Sequence, residues 1–356
     1  MPARVLLLLA TLLLAAGAQA NPAGITHRAT SLPAASERRG DHKPQLDVTI
    51  WYPAGEGAEA REVDVGPPGR ALLVGGQFAP DAAPAPGLHP VILLSPGFGG
   101  GAEDLSWLGG GLAAQGFVVI GVDHPGNNPR DHTPVGGTAW WERPRDLIAA
   151  IDAIARDPVL GPHLDMRRVG AAGFSMGGMT ALALGGATIA PGHFDDFCAT
   201  GPVDKVCDTA PETPDAPHVT QRAAIRLLGL ERAAAHASDD TAFPGLRAIL
   251  AIAPPVQMLD PDSLKRIRVP TTLLVGDLDP FVPARDEADV AARLVQGARR
   301  VIVQGAAHYS FVGTCTPAGQ EVLGLCGMAP AQAHAHAVAL EEALALFDST
   351  LRERAP

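Results

Sequence analysis

Gly173-Phe174-Ser175-Met176-Gly177-Gly178 is preceded by Arg168-Val169-Gly170-Ala171-Ala172 and followed by Met179-Thr180-Ala181-Leu182-Ala183-Leu184. The preceding run is small and apolar, as a buried strand requires, and the following run is made of good helix formers. A G-x-S-x-G between a strand and a helix predicts a sharp turn that lifts Ser175 above the sheet edge. Gly173 and Gly177 leave room there for strand and helix to approach each other. The helix N-terminus directs free N–H groups and the positive end of its dipole at the same point. A Gly-rich turn whose serine merely caps the helix carries the same letters, so the reading depends on the rest of the chain.

Outward from this stretch, strands and helices alternate. Val91-Ile92-Leu93-Leu94 and Phe117-Val118-Val119-Ile120-Gly121-Val122 are continuous apolar runs, as central parallel strands are. Helices are expected over residues 105–115 and 145–156, the second with Leu147, Ile148, Ile151 and Ile154 on one side. Beyond Ser175, strands are expected at 248–252, 271–275 and 300–303, and a last helix at 331–351 after Pro330. Ahead of them, residues 26–53 form a candidate strand pair, and 55–90 reads as loop with one short strand. The alternation predicts an α/β fold: a doubly wound, mainly parallel sheet with flanking helices.

In such sheets, chemistry sits at the C-terminal ends of strands. Four ends carry reactive possibilities: Ser95-Pro96-Gly97-Phe98-Gly99-Gly100-Gly101, Ser175, Gly276-Asp277-Leu278-Asp279-Pro280, and Gln304-Gly305-Ala306-Ala307-His308-Tyr309. The order Ser, Asp, His is the one associated with this fold. Ser175 needs a base to become a nucleophile, and His308 is the candidate. His308 in turn needs a carboxylate to hold its tautomer and stabilise its positive charge. Asp279, just past its strand and before a turn proline, is the choice; Asp277 is the close competitor and Asp260 a weaker third. An oxyanion requires backbone donors, here the N–H groups of Met176 and Phe98. No metal or organic cofactor is expected.

Residues 1–20 read as a secretory signal that is not part of the fold. Arg4 precedes an apolar run from Val5 to Ala16, and Ala18-Gln19-Ala20 forms a cleavage site before Asn21. Residues 21–356 are then expected to form the α/β domain, exported to the periplasm or medium, without a stable membrane anchor. In an oxidising compartment, the spacing of Cys198, Cys207, Cys315 and Cys326 suggests two local disulfides, although three pairings are possible. With 47% hydrophobic and 18% charged residues the chain can bury a sizeable core. A net charge of −11 with three lysines excludes a nucleic-acid partner, which needs clustered cations. A small molecule is the expected partner.

These residues together resemble the α/β-hydrolase superfamily. Within it the chain looks most like bacterial predicted dienelactone hydrolases related to platelet-activating factor acetylhydrolase. The resemblance runs through Ser95-Pro96-Gly97-Phe98-Gly99-Gly100, Asp123-His124-Pro125-Gly126-Asn127, the Ser175 motif and His308-Tyr309-Ser310-Phe311. Two departures stand out. Pro96-Gly97 replaces the His-Gly of many members and is similar to secreted polyester hydrolases and cutinase-like enzymes. Ala253-Pro254-Pro255 stands where the animal acetylhydrolase carries its acid, which directs attention to the next strand. The resemblance implies a serine esterase acting on short- to medium-chain or phospholipid-acetyl type esters. A polyester or cutin depolymerase and a catalytically silent binding protein are the alternatives. A long insertion, residues 187–246, is a candidate lid or pocket wall, with a helix expected over 220–235. Trp140 and Trp141 are candidates for a hydrophobic acyl pocket.

Overall fold

The computed structural model describes residues 22–201, 205–208, 211–213, 215 and 219–352. The export segment expected over residues 1–20, with its cleavage point at Asn21, lies outside them.

Among the described residues, ten strands form one sheet: β1 (Ala23–Ser31), β2 (Gln45–Pro53), β3 (Arg61–Val65), β4 (Leu73–Pro80), β5 (His89–Ser95), β6 (Val118–Asp123), β7 (Leu164–Phe174), β8 (Leu246–Ile252), β9 (Thr271–Gly276) and β10 (Arg299–Val303). Their spatial order is β10-β9-β8-β7-β5-β6-β2-β1-β4-β3. From β10 to β6 every pairing is parallel, whereas β2 joins β6 antiparallel and opens an N-terminal flank of mostly antiparallel strands. The apolar runs form the parallel part because helices cover both of its faces.

Alternation along each strand divides the core in two. Val91 and Leu93 face one side with Val169 and Ala171, and Ile92 and Leu94 face the other with Ala172 and Phe174. The first side is covered by α2 (Arg143–Ile154), α3 (Met176–Leu184) and α4 (Ala288–Leu294), the second by α1 (Ser106–Ala114) and α5 (Gln332–Leu351).

Two expectations change. Residues 55–90 hold two strands, β3 and β4, rather than one. Arg61-Glu62-Val63-Asp64-Val65 is polar because it is the sheet's outer edge, where one face and one side meet water. The helix expected over 220–235 is two short pieces, Gln221–Leu227 and Glu231–Ala234, because Gly229 takes a left-handed φ of 67°. Both expected disulfides are present, Cys198–Cys207 and Cys315–Cys326.

Candidate active site

At the C-terminal end of β7 the chain turns into α3 within a single residue. Ser175 has φ 53° and ψ −123°, a conformation that costs a non-glycine residue about 1–3 kcal/mol. The turn survives because its neighbours are glycines: a Cβ on Gly173 would lie 2.1 Å from the Gly177 carbonyl oxygen, and one on Gly177 would lie 1.9 Å from that of Ser95. Phe174 and Met176 are buried and Ser175 is half-buried, so the turn presents its hydroxyl outward.

His308 starts a short 3-10 turn after β10, fixed by a bond from the Ala307 N–H to Ser310 Oγ of 2.9 Å. Its Nε2 lies 3.0 Å from Ser175 Oγ, and its Nδ1 lies 2.8 Å from Asp279 Oδ2. The other oxygen of Asp279 accepts from the N–H groups of Phe281 and Val282, at 2.9 and 3.0 Å. The aspartate is therefore anchored by its own turn and buried, as the orienting partner of a histidine must be. Asp277 is exposed and accepts from the Gly305 N–H at 2.6 Å. Asp260 caps the turn Pro261–Leu264 elsewhere. The structure thus brings Ser175, His308 and Asp279 together and leaves Asp277 and Asp260 out.

Among the described residues, no acceptor is found for the N–H groups of Phe98 or Met176. They are the expected oxyanion donors. Trp140 and Trp141, the candidates for an acyl pocket, are both buried, Trp141 at 1% exposure, in the core cluster that also holds Met176. Trp140 donates to the Gly137 carbonyl and packs edge-on against Phe194.

The walls of the site come from residues that carried no signal of their own in the sequence. Phe174 and Phe281 flank the His308 ring, with centroids at 4.9 and 5.4 Å. A cavity of about 380 Å3 opens beside His308, lined by Phe281, Tyr309, Met328 and Lys205 among others. The Lys205 and Val206 N–H groups donate to the Pro280 and Phe281 carbonyls, at 3.0 and 3.2 Å, which lays part of the 187–246 insertion along this rim. From the same insertion Glu212 Oε1 accepts from the Tyr309 hydroxyl at 2.8 Å. Burial and then the Glu212 carboxylate push the Tyr309 phenol well above its ordinary range, so it stays protonated and donates. Among the described residues, no three or more His, Cys, Asp or Glu side chains are grouped to hold a metal ion, and no helix is long and apolar enough to cross a membrane.

Residues 75–190 match the family described as PET hydrolase-like. A bis(hydroxyethyl) terephthalate hydrolase of Streptomyces coelicolor is 32% identical over 104 residues, 29% of this chain and 31% of the relative. A lipase of Moraxella sp. is 35% identical over 105 residues, 30% of each chain, and a cutinase of Thermobifida alba is 35% identical over 98 residues, 27% and 30%. The chain thus spans about a third of the length of these curated relatives. The family match contains Phe98, Ser175 and Met176 but neither Asp279 nor His308. A solved ferulic acid esterase from Streptomyces cinnamoneus superposes over 96% of this chain and 94% of its own, with a TM-score of 0.62 at 22% identity. Along nearly its whole length the chain therefore has the fold of that esterase, an α/β-hydrolase fold, and across the nucleophile turn its sequence is similar to PET hydrolase-like proteins.

Proposed function

We propose that the protein is an exported serine hydrolase that cleaves carboxylic esters through an acyl-enzyme. The observation that carries this reading is the unbroken chain from Asp279 through His308 to Ser175, at 2.8 and 3.0 Å. Ser175 Oγ attacks the ester carbonyl while His308 Nε2 takes its proton; Asp279 holds the Nδ1–H and stabilises the imidazolium. The charge that develops on the carbonyl oxygen meets the N–H groups of Met176 and Phe98. His308 then returns the proton to the leaving alkoxide, and a water activated by the same imidazole releases the acid.

Short- to medium-chain acyl esters suit the site best, because the 205–208 segment and Glu212 border it on the side of His308. An insertion in that position favours a small acyl group over a polymer chain, which needs an open groove. Polyester cleavage is the second reading, favoured by the PET hydrolase-like match. Export is supported by the apolar run after Arg4 and by the two disulfides. The test is a fluorophosphonate probe followed by peptide mapping, with turnover of p-nitrophenyl esters from acetate to palmitate. Labelling of Ser175 and rates highest at two to eight carbons are expected. Labelling of another serine, or none, refutes the assignment.

A further inference from the structure

Beneath the loop that carries the Phe98 N–H lies a buried polar cluster that the reaction above does not use. Ser95 Oγ is 2.9 Å from His124 Nε2, and His124 Nδ1 is 2.9 Å from Asp146 Oδ2. Arg38 grips both oxygens of Asp146, at 2.8 and 2.6 Å. Arg143, the first residue of α2, donates from Nη2 to the Pro96 carbonyl at 2.5 Å, the Gly97 carbonyl at 3.3 Å and Ser95 Oγ at 3.4 Å. Its Nη1 donates to Asn127 Oδ1 at 2.9 Å, and the same oxygen accepts the Gly99 N–H at 3.2 Å. Ser95, His124, Asp146, Arg143 and Arg38 are all at most 5% exposed.

The row Ser95, His124, Asp146 has the residue types of a nucleophile site, but Ser95 is wholly buried and meets no substrate. Its hydrogen bonds run in one direction instead. A guanidinium only donates, so Ser95 Oγ accepts from Arg143 and gives its proton to His124 Nε2; His124 Nδ1–H then donates to Asp146. Burial, with the Arg143 charge, holds His124 down to about 3, and it stays neutral. Burial works against the Asp146 carboxylate, but Arg38 outweighs it and holds the group at about 2. Asp146 is gripped by Arg38, whereas the Arg143 guanidinium is held by carbonyl, amide and hydroxyl oxygens, so its positive charge lies directly under the loop.

The Gly97 carbonyl and the Phe98 N–H belong to one trans peptide unit, so they point in opposite directions. Drawing that carbonyl inward to Arg143 turns the N–H outward to the Ser175 side. The loop is otherwise free to flip this peptide, since Gly97, Gly99, Gly100 and Gly101 impose little. We propose that Arg143 is the positioning residue of the oxyanion hole: its fork anchors the Pro96 and Gly97 carbonyls, fixes the Phe98 N–H toward the developing oxyanion, and sets a buried cation behind that donor. This rests on the Ser175 hydrolase reading.

The test is Arg143→Lys, which keeps the charge but cannot hold the forked set of acceptors. Loss of one aligned oxyanion donor lowers kcat by about 10²-fold on p-nitrophenyl acetate, with KM within about threefold because ground-state binding is untouched. Inhibition by phenylboronic acid, whose tetrahedral adduct places an oxygen where the oxyanion forms, should weaken in proportion to the fall in kcat/KM. Asn127→Ala, which removes the brace between Arg143 and Gly99, is the second variant, for the case that Arg143→Lys does not fold; about tenfold in kcat is expected. A folded Arg143→Lys with parental kcat, an unchanged boronate affinity beside a lowered kcat, or parental kcat in Asn127→Ala overturns the proposal. Full activity of Ser175→Ala would instead remove the hydrolase reading and leave the Arg143 result to be judged separately.

Discussion

Replacing Asp279 by asparagine changes one atom and should nearly abolish turnover. Oδ1 of Asp279 accepts the N–H groups of Phe281 and Val282 at 2.9 and 3.0 Å, and an asparagine oxygen would keep both bonds. The new amide nitrogen must then sit where Oδ2 now faces His308 Nδ1, at 2.8 Å. Two donors cannot face each other, so His308 would carry its proton on Nε2 and direct it at Ser175 Oγ, 3.0 Å away. In that tautomer the imidazole cannot accept the serine proton. The same replacement in other triads lowers kcat by about 10⁴, or about 5 kcal/mol of barrier. Asp277→Asn is the matched control, because an asparagine oxygen can still accept the Gly305 N–H at this exposed position. Its cost should stay below about 1 kcal/mol, or fivefold in kcat. Both variants are compared with the parent on p-nitrophenyl butyrate, with thermal unfolding as the folding check. If Asp277→Asn is the crippled enzyme, or Asp279→Asn stays within tenfold of the parent, the assignment of the acid is wrong.

Two further outcomes concern stability. Gly177→Ala should cost about 3 kcal/mol or more, since its Cβ would fall 1.9 Å from the Ser95 carbonyl oxygen and 2.5 Å from that of Pro96; urea unfolding of a variant with parental stability would remove the close approach as the reason for that glycine. The second outcome is pH-dependent. His124 has an ordinary value near 6.5 when unfolded and is depressed to about 3 by burial when folded, so acid protonates only the unfolded state between those values. The associated stability is complete above pH 6.5 and is lost as pH falls toward 3, about 2–3 kcal/mol being gone at pH 4.5. His124→Gln should show a shallower acid slope in urea titrations, and parallel slopes would refute the account.

Much of the parallel sheet was legible in the chain itself, because its signals are local. The runs at 91–94, 117–122 and 271–275 are apolar enough to be buried on both faces, and strand, Ser175 turn and helix lie within about twenty consecutive residues. The glycines flanking Ser175 announced a close backbone approach before any partner was known. The loop at Gly305-Ala306-Ala307 likewise marked His308 as a strand-end residue.

What the sequence left open depends on contacts between distant segments. Asp277 and Asp279 are two residues apart, and only the turn after β9, with its N–H groups at 281 and 282, selects which carboxylate meets the histidine. Arg61 to Val65, with three charged residues in five, does not read as a strand until Leu73 to Pro80 supplies an edge to pair with. The burial of Trp140 and Trp141 likewise follows from the packing of α2 against the sheet, which two adjacent tryptophans after a loop do not announce. The Ser95, His124, Asp146 and Arg143 cluster joins the ends of two strands to the start of a helix, and Arg38 reaches it from 108 positions away from Asp146. Composition and periodicity register which residues prefer burial; which buried donors meet which acceptors follows only from the folded arrangement, since leaving any of them unpaired costs more than the pairs return.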